Sequence, residues 1–229
     1  MIYIVLAMIV IAGIAAYAQW LADKKRREEL GAFASARGFR FDPESDRGHD
    51  DRYRQFEIFR KGHSRVARNT MTGRIELFGR PCSICCGDFR YKITTSNGKS
   101  SSTKTYRFSY LIVHPPWDTP ALLIREEGWF DKVAGAFGFD DIDFESDEFS
   151  RRFYVKSSDK RFAYDVLHPR MMEFLLSDPP AMIDIEDRAM CLGGGKKLWS
   201  PTEFVRKLEY VRRFTELWPR HLVKDLDDA

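Results

Sequence analysis

From Ile2 to Leu21 the chain carries no charged residue, and Lys24-Lys25-Arg26-Arg27 follows almost at once. About 20 helical residues at 1.5 Å each reach roughly 30 Å, the thickness of a bilayer's hydrocarbon core. Gly13 and the alanines are tolerated in such a helix. Tyr17 and Trp20 fall at its far end, where amphipathic rings prefer the interface. A secretory signal is the competing interpretation, because Ala16-Tyr17-Ala18 before Gln19 has the form of a cleavage site. Signals place positive charge before an apolar core of about 7–15 residues. Here only Met1 and its amine precede the run, and the cations come after it. The sequence therefore predicts an uncleaved transmembrane helix over residues 1–22, with its N-terminus outside. Lys24, Lys25, Arg26 and Arg27 form the cytoplasmic membrane flank. The small residues around Gly13 do not make a small-xxx-small case strong enough to assign a helix pair.

The remaining length suits one moderate domain, and the many aromatic residues, Phe above all, supply a core. The formal charge of +3 excludes a global nucleic-acid footprint. Its distribution is uneven. Residues 23–80 hold 15 basic and 10 acidic residues, whereas residues 125–148 hold 2 basic and 9 acidic. Solvated faces of one fold account for this; an anionic-lipid-facing side near the anchor is the functional alternative.

Helical spacing of Leu30, Phe33 and Ala34 extends the anchor as a juxtamembrane helix over 23–38, with Gly38 as its C-cap. Asp42 to Asp51 is turn-rich and reads as a loop, and a short helix or extended piece follows around Tyr53 to Phe59. Arg65 to Phe78 alternates as strand, with a turn expected near Thr72-Gly73. Two longer strands flank Asn97-Gly98. Phe89, Tyr91 and Ile93 share a face of the first, and Tyr106, Phe108, Tyr110 and Ile112 share a face of the second. A strand is expected at Ala121–Glu126 and a short helix at Trp129–Phe137. Arg151 to Ser158 reads as another strand, followed by a helix at Asp159–Leu167 capped by Ser158 and another begun by Pro169. Met182 to Ser200 reads as two strands or one bent hairpin. Pro201 to Leu217 is an amphipathic helix with Ser200 and Glu203 in a capping box. The fold class is α+β: a mainly antiparallel sheet domain over 39–229, short helices, and the C-terminal amphipathic helix packed on the sheet.

No motif announces a reaction. Cys82, Cys85, Cys86 and Cys191 are too sparse for a disulfide scaffold and lack the two paired sets of a zinc knuckle. They remain weak metal candidates, and on a strand Cys82 and Cys86 point opposite to Cys85. Gly193 to Lys197 lacks the spacing of a phosphate loop. His49, His63, His114, His168 and His221 form no metalloprotease pattern, and no Gly-x-Ser-x-Gly elbow occurs. Asp140 to Phe149 lacks the ligand order of a calcium loop. Arg206, Lys207, Arg212 and Arg213 lie opposite the last helix's apolar stripe, diluted by Glu203, Glu209 and Glu216.

The segments "ARNTMTG" (Ala67–Gly73), "FRYKITTSNGKSSSTKTYRFS" (Phe89–Ser109), "DIDFESDEFSRRFYVKSSDKRFAYDVLHPRMMEFL" (Asp141–Leu175) and "WSPTEFVRKLEYVRRF" (Trp199–Phe214) occur in a recognisable order. In that order the chain resembles an uncharacterised prokaryotic family of single-pass membrane-anchored proteins with a soluble α+β domain. The resemblance implies an anchor and a soluble domain, with no assigned reaction, cofactor or site residue. "CSICC" departs from the acidic-aromatic strand expected there. The expected function is a non-enzymatic, membrane-tethered cytoplasmic domain that binds a protein or scaffolds a complex at the inner leaflet. An enzyme with a site assembled from distant residues, or a peripheral sensor of anionic lipid, are the alternatives.

Overall fold

Helix α1 (Ile2–Ala36) runs unbroken from the apolar segment into the basic one. At 1.5 Å per residue its length is about 52 Å. From Tyr3 it is long and apolar enough to cross a membrane, and no side chain of its apolar window is buried by the rest of the chain. A signal sequence passes the same test of length and composition. Past Trp20 the helix changes character: Leu30, Phe33 and Ala34 are buried in the core. It stops where Gly38 turns to φ +65°, a left-handed conformation without penalty only for glycine. The computed structural model describes residues 2–98, 100–127, 142, 144–195 and 197–228.

The strands are β1 (Arg40–Asp42), β2 (His63–Leu77), β3 (Arg80–Ser96), β4 (Ser101–His114), β5 (Leu122–Glu126), β6 (Phe153–Ser157), β7 (Met182–Glu186) and β8 (Ala189–Gly193). Short helices α2 (His49–Arg52) and α3 (Glu57–Arg60) lie between β1 and β2. Helix α4 (Asp147–Arg152) leads into β6, and α5 (Lys160–Val166) and α6 (Pro169–Ser177) follow it. Helices α7 (Pro201–Glu216) and α8 (Arg220–Asp227) close the chain. All described strands form a single antiparallel sheet in the order β1-β2-β3-β4-β8-β7-β5-β6. The class is α+β.

Period two sorts the long β3–β4 hairpin into two faces. Cys82, Ile84, Cys86, Leu111 and Val113 pack in one core with Leu30 and Phe33 of α1 and Phe204, Val211 and Phe214 of α7. Cys85, Phe89, Phe108, Tyr110 and Ile112 pack in the other with Ile58 and Phe59 of α3. Helix α7 carries the expected capping box: the Ser200 hydroxyl accepts from the Glu203 N–H, and the Glu203 carboxylate accepts from the Ser200 N–H.

Some local expectations differ. Strand β2 runs straight through Thr72-Gly73 without a turn. Gly73 is there because a Cβ would stand 2.2 Å from the Phe39 ring. The register of β2 on β3 shifts twice, between His63 and Val66 and between Arg68 and Met71, and in the second bulge Asn69 takes φ +51°. Asp159, not Ser158, caps α5, accepting from the N–H groups of Arg161 and Phe162. The expected loop at Asp42–Asp51 holds α2 and a bridge from Asp46 to Ala67. Helix α8 follows Pro219 without having been expected. The helix expected at Trp129–Phe137 and much of the acidic run lie outside the described residues.

Candidate functional site

Asp88 sits on β3 in line with Cys82, Ile84 and Cys86, a core-facing position for a carboxylate. Burying such a charge is costly unless it is paired and hydrogen-bonded. Here every acceptor position is used. Arg26 of α1 donates from Nε to Oδ2 and from Nη2 to Oδ1, both at 2.6 Å, a bidentate pair. The Asn69 amide donates at 3.0 Å, and the Ser109 hydroxyl at 2.7 Å. The left-handed backbone of Asn69 at the bulge goes with this bond, since asparagine is among the few residues that tolerate that conformation.

Ser109 is saturated in turn. It gives its proton to Asp88 and accepts from the Trp199 N–H at 2.9 Å and from Arg26 Nη2 at 3.3 Å. Arg26 also donates to the Trp199 carbonyl at 3.0 Å. One cluster thus ties α1, β2, β3, β4 and the lead into α7 together. Side-chain exposure of 17% for Arg26 and 10% for Asp88 places the pair inside the protein, not in solvent. Of the four flank residues, Lys24, Lys25 and Arg27 are exposed while Arg26 turns inward. Because α1 is one continuous helix, the weld fixes the domain's orientation relative to the apolar segment.

Beside the weld lies a cavity of about 300 Å³, lined by Trp20 and by five arginines, Arg26, Arg27, Arg68, Arg90 and Arg107. Arg90 and Arg107 are directly opposed across β3 and β4. Like charges so placed repel. Burial, then the charges of Arg68, Arg107 and Arg47, pull Arg90 below the usual guanidinium range, with Asp23 opposing. Its Nε is buried with no hydrogen-bond partner among the described residues. Guanidiniums do not shuttle protons at neutral pH, so the arginines of this wall are equipped to hold an anion.

A second polar group lies on the opposite face of the sheet. His49 is fully buried, its ring 4.8, 4.7 and 4.6 Å from those of Tyr53, Phe59 and Tyr110. Desolvation drives its pKa down from 6.5 to about 3, Arg52 adding to the effect and Asp46 opposing it. Tyr110 is within 3.9 Å of Cys85 Sγ and 3.5 Å of His49 Nδ1. Burial pushes the thiols of Cys85, Cys86 and Cys191 up. A thiol so held is a poor nucleophile and a poor ligand. All four cysteines are free and buried, with Cys82 and Cys86 in one core and Cys85 and Cys191 in the other. Among the described residues no three His, Cys, Asp or Glu side chains are grouped as metal ligands.

The other histidines are dispersed. His63 contacts Thr94, His114 contacts Tyr53, His168 donates to the Leu217 carbonyl, and His221 stands 3.6 Å from Asp165. Asp88, Asn69, Ser109 and Trp199 did not emerge from motif reading. One signal was available: Asp88 shares the period-two face of three apolar residues, and Arg26 precedes Leu30 by one helical turn.

No protein-family model matches the chain, and no curated protein matches it. Among solved structures the chain is similar to the mycobacterial trehalose monomycolate transport factor A, TtfA. The TM-score is 0.56 at 15% identity, over 83% of this chain and 93% of that one. At that identity the likeness is one of fold.

Proposed function

We propose that this chain is a single-pass, non-catalytic accessory factor that holds a binding domain at the cytoplasmic face of a membrane protein assembly, in the manner of a transport factor. The observation that carries the proposal is the Arg26–Asp88 weld, which makes the apolar helix and the sheet one rigid unit. A freely hinged tether would suffice for mere recruitment; a welded one sets height and orientation above the bilayer. The fold of a protein titled a transport factor supports the same reading. The orientation rests on Lys24, Lys25, Arg26 and Arg27, which resist translocation and keep the domain inside. The enzyme alternative draws less support, because His49 and Tyr110 are fully buried and burial holds the Cys85 thiol protonated.

The test is photo-crosslinking of the full chain in cells, from exposed domain positions such as Tyr164 and Val205. Wild type is expected to capture an integral membrane protein, identified by mass spectrometry. Asp88→Asn should weaken that capture with the protein still in the membrane. No membrane partner above a control carrying the anchor alone would refute the proposal.

A further inference from the structure

The cavity beside the weld poses a problem that its own residues do not solve. Arg26 is committed to Asp88. Among the described residues of its wall, the carboxylates besides Asp88 are Asp23 and Glu44, against the four remaining cations Arg27, Arg68, Arg90 and Arg107. Two of these guanidiniums are cross-strand neighbours, and the buried Arg90 Nε lacks a partner among the described residues. Arg68 donates from Nε to the Ser45 hydroxyl, which adds no negative charge. Such a cluster is stabilised by an anion with several acceptor oxygens, and phosphoryl oxygens fit the planar fork of arginine.

The depth of the cavity narrows the source. Trp20, the last aromatic residue of the apolar run, lines it. Arg26 lies five residues past Leu21, about 7.5 Å along the helix axis. A bilayer's headgroup layer extends roughly 5–8 Å beyond the hydrocarbon on each side. The cavity therefore stands at headgroup height, where basic pockets beside membrane helices hold lipid phosphates.

We infer that the cavity lined by Arg68, Arg90 and Arg107 binds a phosphoryl group, supplied by the headgroup of an anionic glycerophospholipid in the leaflet that α1 leaves. The inference rests on α1 being a membrane span. A bound headgroup would bridge the anchor and sheet beside the weld.

The test uses the full chain in neutral detergent, titrated with phosphatidylglycerol, phosphatidylcholine or inorganic phosphate and read by native mass spectrometry. Phosphatidylglycerol should bind at least ~10-fold more tightly than phosphatidylcholine. Arg90→Gln with Arg107→Gln should abolish that preference and, by removing like-charge repulsion, raise the melting temperature without lipid. Lys24→Gln with Lys25→Gln should keep the preference, because those exposed lysines offer only diffuse attraction. Equal binding of the two lipids would overturn the inference. So would a preference lost in the lysine variant and kept in the arginine variant, or an arginine variant that melts lower. Binding of phosphate without binding of phosphatidylglycerol would leave the cation cluster standing but contradict the lipid source, and with it the membrane placement of α1.

Discussion

Asp88 has four hydrogen bonds and little solvent to fall back on, so its partners are not interchangeable. Replacing Arg26 by Met leaves a buried carboxylate with half its donors gone. Breaking a buried pair in this way costs about 3 kcal/mol, the lower end of the range because both groups keep some exposure. The double change Arg26→Met with Asp88→Leu should cost clearly less than the sum of the single changes, which a thermodynamic cycle from urea melts would measure. Two buried titratable groups bend stability in opposite directions with pH. Folding lowers the His49 pKa from 6.5 to about 3, mainly through desolvation, so the folded state binds fewer protons between those values. His49 thus contributes stability that is complete above pH 6.5 and lost as pH falls toward 3, at up to ~1.4 kcal/mol per pH unit. Asp184 is raised well above 3.8, first by burial and then by Glu186 and Glu57, against Arg60. Its contribution is complete below the ordinary carboxylate range and declines as pH rises toward its folded value. Chemical melts across pH 4–8 should show His49→Phe flattening the acid-side loss and Asp184→Asn flattening the decline on raising pH. Unchanged slopes in both would contradict these assignments.

At the scale of elements, the joint between α1 and the sheet is built from more than one contact. Phe39, just past the turn at Gly38, lays its ring over Gly73 of β2. Gly73→Ala would push that ring away, since a Cβ there stands within 3 Å of three of its atoms. Overpacking of this kind costs about 1–3 kcal/mol, and a lowered melting temperature with unchanged far-ultraviolet dichroism would report it. This position also marks where sequence reading failed. Threonine followed by glycine has the chemistry of a turn, but here the glycine answers to a ring approaching from a distant segment, which local pattern cannot register. The capping box at Ser200, the stop at Gly38 and the two faces of the hairpin were legible because each is set by neighbours in sequence. The partners of Asp88 were not, because they lie 19, 21 and 62 residues away. The arginine cavity was hidden for the same reason: charge counts showed a basic N-terminal third, and only the register of β3 on β4 sets Arg90 against Arg107.

For the whole molecule, the sheet domain and the second half of α1 share one core, so the domain extends back into the helix. A fragment from residue 22 onward keeps Arg26, Leu30, Phe33 and Ala34 and should melt cooperatively. One from residue 39 onward loses two large buried side chains, each worth roughly 1.5–3 kcal/mol, and strands Asp88. It should be insoluble or lack a cooperative transition; a fragment from 39 as stable as one from 22 would show that the joint contributes nothing. The central claim is that α1 stays uncleaved and spans the membrane with the domain inside. The four native cysteines are buried and give little background to a thiol reagent. Asp228→Cys places a thiol at an exposed position just past helix α8. Its labelling by a membrane-impermeant maleimide, in spheroplasts before and after lysis, tests the claim most directly. The account predicts no label until lysis, on a chain of full length; label in intact spheroplasts, or on a chain beginning at Gln19, would contradict it.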